Sequence, residues 1–266
     1  MKNLLHLIAI IALTIVTQIG GAVYVVTLLT LQQVKSKSIL KGSSLFIFLY
    51  LIATFLVTPI LAPIFGREKI KETEFLEAHS FFYKLANRDY VKPELQQLLD
   101  NTSKAYAKSN KNIKLIHLDA SFPFFDKFPL LPHLSHNDGK KIDISLVYQD
   151  DNAEITNRKK SVSGYGVFEN PQVREYNQNL ACQKRGFWQY DFPKYLSFGT
   201  INDDIIFSNS GTKNLISEIL KDNNLSKLFI EPHLKSRLNL SNNKIRFHGC
   251  RAVRHDDHIH IHIQIK

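Results

Sequence analysis

The chain has 266 residues, 44% of them hydrophobic and 22% charged, with a formal net charge of +10. That much apolar content excludes a disordered polymer and suffices for a sizeable core in one or two domains. The positive charge suits an anionic partner, but the lysines are spread along the chain with no nucleic-acid-reading motif beside them, so no nucleic-acid role is expected.

From residue 4 to 34 there is no Asp, Glu, Lys or Arg, and 45–66 is a second uncharged apolar run. Each exceeds the roughly 20 residues a helix needs to cross the hydrocarbon core. Two transmembrane helices are therefore predicted, at about 4–31 and 45–66, in a membrane anchor over residues 1–70. A cleaved signal peptide would have a shorter apolar stretch and would leave the second run unexplained. Gly20 and Gly21 permit close helix contact, and Pro59 and Pro63 should kink or end the second helix. Two spans would put the N-terminus and everything after Arg67 on one side of the bilayer. Lys35, Lys37 and Lys41 in the connecting loop are balanced by Lys2, Arg67, Lys69 and Lys71, so charge leaves the orientation open.

The remaining 71–266 read as one domain. Residues 71–89 and 93–110 have helical apolar spacing. Strands are predicted at 113–120 and 140–148, separated by a proline- and aromatic-rich loop, and the polar stretch 149–166 reads as a surface loop. Then come a helix at 212–222, a strand at 227–231, a short helix opening on Pro232, a strand at 243–249 and a terminal strand. Strands and helices mix without regular alternation, which predicts an α+β domain, a largely antiparallel sheet with flanking helices.

The terminal strand, RHDDHIHIHIQIK, alternates His258, His260 and His262 with isoleucines. Side chains two apart share a face, so one face packs and the other is a row of imidazoles. Upstream, HLSHNDGKKIDIS places His136 at the end of a loop, Gly139 where a tight turn is possible and Asp143 on a strand. With one terminal histidine these make a His, Asp, His set, the outline of a catalytic zinc site with one position left for water. Cys182 and Cys250 fit neither a CxxC nor a zinc-finger spacing. In an oxidising compartment they can form one disulfide, and otherwise they are two small core thiols.

SHNDGKKID resembles the Ser-His-x-x-Gly-x-x-x-Asp motif of the LAS group of zinc peptidases, which includes D-Ala-D-Ala metallopeptidases, penicillin-insensitive murein endopeptidases and the hedgehog signalling domain. HDDHIH is similar to the murein endopeptidase form of the second motif, His-Asp-x-His-x-His, and His133 also matches that branch. The resemblance spans roughly residues 113–266. It implies that His136, Asp143 and His260 bind Zn2+, that His258 is the general base, and that His255 orients water or stabilises an oxyanion. His133 and Ser135 would fix ligand orientation from behind. His262 is read as structural or as a support behind the ligands, Asp256 and Asp257 as turn residues or tautomer-setting partners, and His6, His79, His117, His233 and His248 as ordinary histidines.

The function so implied is a membrane-anchored zinc peptidase acting on peptidoglycan peptides, with the lipid bilayer as its other partner. That substrate would put the enzyme in the bacterial inner membrane with its catalytic domain facing the periplasm. Two alternatives stand beside it. One is a D,D-carboxypeptidase or dipeptidase, for which Arg185, Arg251 or Arg254 would bind a substrate carboxylate. The other is a non-catalytic zinc module that binds wall fragments or a protein partner.

Overall fold

A computed structural model describes residues 2–35 and 38–265. Lys37 of the lysine loop lies outside them. The chain divides into two compact units, one formed by residues 1–70, 81–93 and 119–139, the other by 71–80, 94–118 and 140–266.

In the first unit the apolar run 4–34 is not one transmembrane helix. It is broken into α1 (Lys2–Thr17) and α2 (Gly20–Gln33), which fold back on one another. Gln18 takes a positive φ of 65°, and the Gly20 amide donates to Thr17 Oγ1 at 2.9 Å. The glycine pair makes the turn possible: a Cβ on Gly21 would stand 1.9 Å from Thr14 Oγ1 and 2.6 Å from the Ile10 carbonyl. Further along the hairpin, His6 Nδ1 and Tyr24 Oη lie 2.8 Å apart. Each arm, of 16 and 14 residues, is about 21–24 Å long, short of the roughly 30 Å of a hydrocarbon core.

The second apolar run does form a helix long enough to cross a membrane. It runs from Ile39 to Phe65, 27 residues, or about 40 Å. Among the described residues it is the one helix with that length and apolarity. It begins as α3 (Ile39–Ile52), capped by Ser38, and widens into a π turn at Ala53–Val57 just ahead of Pro59. Proline has no amide hydrogen and its ring crowds the carbonyl four residues back, so the local widening lets the helix continue. Gly66, at φ 67°, ends it. Tyr50 Oη donates to the Leu85 carbonyl at 2.7 Å, and the Phe55 and Phe81 rings stack at 5.8 Å. Buried Arg67 then donates to the Phe122 carbonyl and to Asp126, pinning the proline-rich loop of the same unit.

The second unit is built on a six-stranded sheet in the order Ile245–Arg246, Leu225–Phe229, His258–Ile263, Lys141–Ser145, Leu115–His117, Leu76–Ala78. The outermost pair at each edge is parallel and the three inner pairings are antiparallel. Ile259, Ile261 and Ile263 on the terminal strand, with Ile142 and Ile144 on its neighbour, are fully buried. The period-two pattern thus sends the isoleucines into the core. The amphipathic helices Pro93–Ser109 and Asn209–Ile219 bury Leu95, Leu98, Leu99 and Tyr106, and Leu215, Ile216 and Ile219. The result is a mixed α+β unit with flanking helices.

Two segments depart from expectation. Residues 71–89 are not a helix: Leu76–Ala78 is an edge strand and only Phe81–Leu85 is helical. Glu72 Oε1 accepts the Ala78 amide at 2.7 Å, and the strand pairs in parallel with Leu115–His117. Sheet pairing outweighs a helical spacing that is weak in so short a run. The polar stretch 149–166 is not wholly a surface loop. It carries part of a small three-stranded sheet, and its Ser161 and Tyr165 are buried. Cys182, in the helix Gln178–Lys184, is disulfide-bonded to Cys250, with their Cα atoms 5.3 Å apart.

With His6 and Tyr24 replaced by cysteine, a short thiol-to-thiol cross-linker is expected to join the two within one chain. A single straight helix would hold these positions about 27 Å apart, so absence of the cross-link, judged by mass analysis of the proteolysed protein, would contradict the hairpin.

Candidate metal centre

The register of two strands brings the chemistry together. His260 lies opposite Asp143, His258 opposite Ser145 and His262 opposite Lys141. Asp143 is fully buried. His260 Nδ1 donates to Asp143 Oδ1 at 2.8 Å, and His258 Nε2 lies 3.7 Å from the same oxygen. Tyr165 Oη donates to the second oxygen, Oδ2, at 2.8 Å. One carboxylate therefore organises two imidazoles and a phenol. His262, half-buried, stands at the far end of the same strand.

The turn before the strand fixes His258. Its Nδ1 donates to Asp257 Oδ1 at 2.5 Å, while Asp257 Oδ2 accepts the Gly166 amide at 2.6 Å. Asp257 thus sets the tautomer and leaves Nε2 turned toward Asp143. Burial alone would lower the His258 pKa, but Asp143 and Asp257 outweigh it and pull the imidazole up to about 9. His255 goes the other way. Burial, with His258, His260 and His248 beside it, holds it well below the ordinary histidine value. Its ring centroid is 4.8 Å from that of His258, so two imidazoles shifted in opposite directions stand side by side.

The backbone under His255 is held as well. Its amide donates to Glu231 Oε1 at 2.9 Å, and Tyr190 Oη donates to the same atom. Arg254 is a structural residue and not a substrate-binding one. It is buried, bonded through two nitrogens to Asp256 at 2.7 and 2.5 Å, and bonded also to Asp191 and Asn170. Its guanidinium lies 3.8 Å from the Phe168 ring centroid.

In the first unit, His133 and His136 are buried with ring centroids 5.4 Å apart. His136 Nδ1 lies 2.9 Å from the Ala120 carbonyl, which can only accept, so Nδ1 carries the proton and Nε2 the lone pair. His133 Nδ1 is likewise bonded to Asp119 at 2.9 Å. Asp119 is gripped by Arg88 at 2.5 and 2.7 Å. Burial would raise its pKa, but Arg88, and then His133, hold it well below the carboxylate range. Both histidines therefore have the outer partner that metal-binding imidazoles use. Ser135, half-buried, takes part through its carbonyl, which accepts the Asn137 amide at 3.0 Å. Gly139, at φ 74°, makes the turn toward Asp143 possible.

Residues 133–143 carry a buried His–His–Asp group, His133, His136 and Asp143, that could hold a metal ion. Sequence reasoning overlooked two residues near the site. Tyr165 sits between Gly164 and Gly166, both at positive φ, and that glycine flanking is the signal that a tyrosine is being turned inward. His248 has no motif, yet its ring stacks on Phe229 at 4.2 Å and lies 5.1 and 5.7 Å from His255 and His260. His6 and His233 have local partners in Tyr24 and the Glu169 carbonyl.

In comparisons with known proteins, no family model matches the sequence and no curated protein matches it.

Removing the Tyr165 hydroxyl takes a donor from a buried carboxylate. Tyr165→Phe is expected to destabilise the metal-free protein by about 1.5–3 kcal/mol, the scale for a hydrogen bond to a charged group. Chemical denaturation of parent and variant checks this, and equal midpoints would show that the bond contributes nothing.

Proposed function

We propose that this chain is a membrane-anchored zinc peptidase that hydrolyses an amide bond in peptidoglycan peptides, with a catalytic domain of the LAS type. The observation that carries the reading is the convergence of His260 Nδ1 and His258 Nε2 on Asp143 Oδ1, with Tyr165 on the other oxygen. His136 and Asp143 would hold the cation with His260, as the two sequence motifs imply, and His133, which the structure groups with His136 and Asp143, is the other imidazole able to serve as third ligand. The donor set fits zinc: nitrogen and oxygen ligands, buried, with His136 held in one tautomer by a backbone carbonyl. Zinc supplies Lewis-acid polarisation of the substrate carbonyl and makes water acidic enough to attack near neutral pH.

The chain's own residues do the rest. With a cation bound, His260 would offer it an unprotonated nitrogen and Asp143 a carboxylate oxygen in place of part of the hydrogen bond the two now share. With Asp143 engaged by a cation, His258 would lose the first of the three carboxylates, Asp143, Asp257 and Asp256, that favour its protonated form. It can then accept a proton at Nε2, with Asp257 steadying the imidazolium through Nδ1. Neutral His255, beside it, is suited to orient water or an oxyanion.

Location follows from two features. The helix Ile39–Phe65 supplies the anchor. The Cys182–Cys250 disulfide belongs to an oxidising compartment, which favours the periplasmic face of a bacterial inner membrane.

The full-length protein is expected to carry about one zinc per chain and to cut purified peptidoglycan at a peptide bond in a chelator-sensitive way, as read by mass analysis of the fragments. Asp143→Ala and His260→Ala should lose the metal. His258→Ala should keep it and lower turnover by about 10²–10⁴-fold. A zinc-loaded parent that leaves every wall peptide intact would refute the peptidase reading, and unchanged turnover in His258→Ala would refute its role as base.

A further inference from the structure

A cavity of about 380 Å³ lies in the second unit between the end of the helix Gln178–Lys184 and the loop 247–251. Arg185 and Phe187 line one side, and Phe247, His248 and Arg251 the other. From these residues we infer that the cavity is a carboxylate-binding subsite that seats a free carboxylate of the substrate peptide. Only the identity of the ligand as a peptide rests on the function proposed above.

Charge is the first argument. Arg67, Arg88, Arg158, Arg237 and Arg254 are each satisfied by an acidic side chain. Among the described residues, Arg174, Arg185, Arg246 and Arg251 have no such partner and all four are exposed, and of these Arg185 and Arg251 line one cavity. Arg185 instead rests its guanidinium over the Phe187 ring, 5.5 Å from the centroid, with Nη1 4.0 Å from Cys250 Sγ. Two unpaired guanidinium forks on one cavity are a complement to a planar anion with two acceptor oxygens, and arginine meets carboxylates through paired hydrogen bonds.

Rigidity is the second. The Cys182–Cys250 bond joins the two walls covalently, and both sulfurs belong to a buried cluster with Tyr190, against which Phe187 packs. The Gln189 side chain donates to the Cys250 carbonyl at 3.1 Å, fixing the loop again. The walls are thus set before a ligand arrives, which limits the entropy lost on binding.

Position is the third. His248 is common to the cavity and to the imidazole cluster, its ring 5.1 Å from His255 and 5.7 Å from His260. A peptide whose carboxylate lies on Arg185 and Arg251 therefore runs toward the proposed catalytic histidines. The volume is at the lower end of the roughly 300–1,000 Å³ of small-molecule sites. It suits a short segment carrying the carboxylate, with Phe187 and Phe247 flanking its apolar part. On this account the enzyme prefers amide bonds near a free carboxyl group to those deep inside a chain.

The test separates binding from turnover. N-acetylalanine and N-acetylalaninamide, the same molecule with and without the charge, are titrated against the full-length protein by ligand-observed NMR. The acid should bind, and the amide about tenfold more weakly or worse. Arg185→Gln and Arg251→Gln should each weaken the acid by about tenfold, the scale of one charged hydrogen bond, while leaving zinc content unchanged. Equal binding of acid and amide, or variants that bind the acid as the parent does, would overturn the subsite. Inorganic phosphate displacing the acid and binding more tightly would make the cavity a phosphate site and also overturn it. Charge-selective binding by a chain that cuts no wall peptide would sink the peptidase reading and leave the subsite standing.

Discussion

The site depends on one pairing register. The terminal strand lies antiparallel to Lys141–Ser145 so that His260 faces Asp143 across the sheet. Side chains alternate along a strand, so a slip of one residue would turn the imidazoles into the core and the isoleucines out. The fully buried Ile259, Ile261, Ile142 and Ile144 make that slip costly. Apolar burial on one face thus enforces the meeting of charged groups on the other, and chemistry and packing are two sides of one constraint.

A buried carboxylate beside two imidazoles is expensive to desolvate unless each group is bonded. The second unit meets that demand in layers. Tyr165 and His260 occupy the two Asp143 oxygens, Asp257 holds His258, and Glu231 holds the backbone at His255. Arg254 then ties Asp256 to Asp191 beneath the turn. Adjacent His255 and His258 shift in opposite directions: at His255 burial and three neighbouring histidines outweigh Asp143, whereas at His258 Asp143, Asp257 and Asp256 outweigh burial and draw it up to about 9. In the first unit His133 and His136 are prepared in the same manner, through Asp119 and the Ala120 carbonyl.

How much of this was legible in the sequence depended on the range of the signal. The terminal strand and the Asp143 strand were readable because period-two alternation and a histidine row are local patterns. The helix Pro93–Ser109 was readable from its apolar spacing, and the motif residues His136, Asp143 and His260 stood out by spacing and resemblance. What failed needed long-range information. The 4–34 run has the composition of a spanning helix, and its folding back shows only in the structure, in the break at Gln18 and in pairs across the two arms such as His6 with Tyr24. Residues 71–89 look helical until a parallel partner claims 76–78. Tyr165 and His248 lie far along the chain from the motifs, and nothing in their immediate neighbours except the glycines around Tyr165 marks them. The disulfide stood open because two distant cysteines carry no spacing signal, and the fold is what brings them to 5.3 Å apart at Cα and bonds them.

The central claim is that Asp143 and the histidines around it are inner ligands of one cation. X-ray absorption at the zinc edge of the zinc-loaded protein addresses it most directly. The account predicts about four nitrogen and oxygen scatterers near 2.0–2.1 Å, with the outer-shell pattern of two imidazoles and no sulfur, and loss of that pattern in Asp143→Asn. A shell of water oxygens alone, a sulfur contribution, or an unchanged spectrum in Asp143→Asn would contradict it.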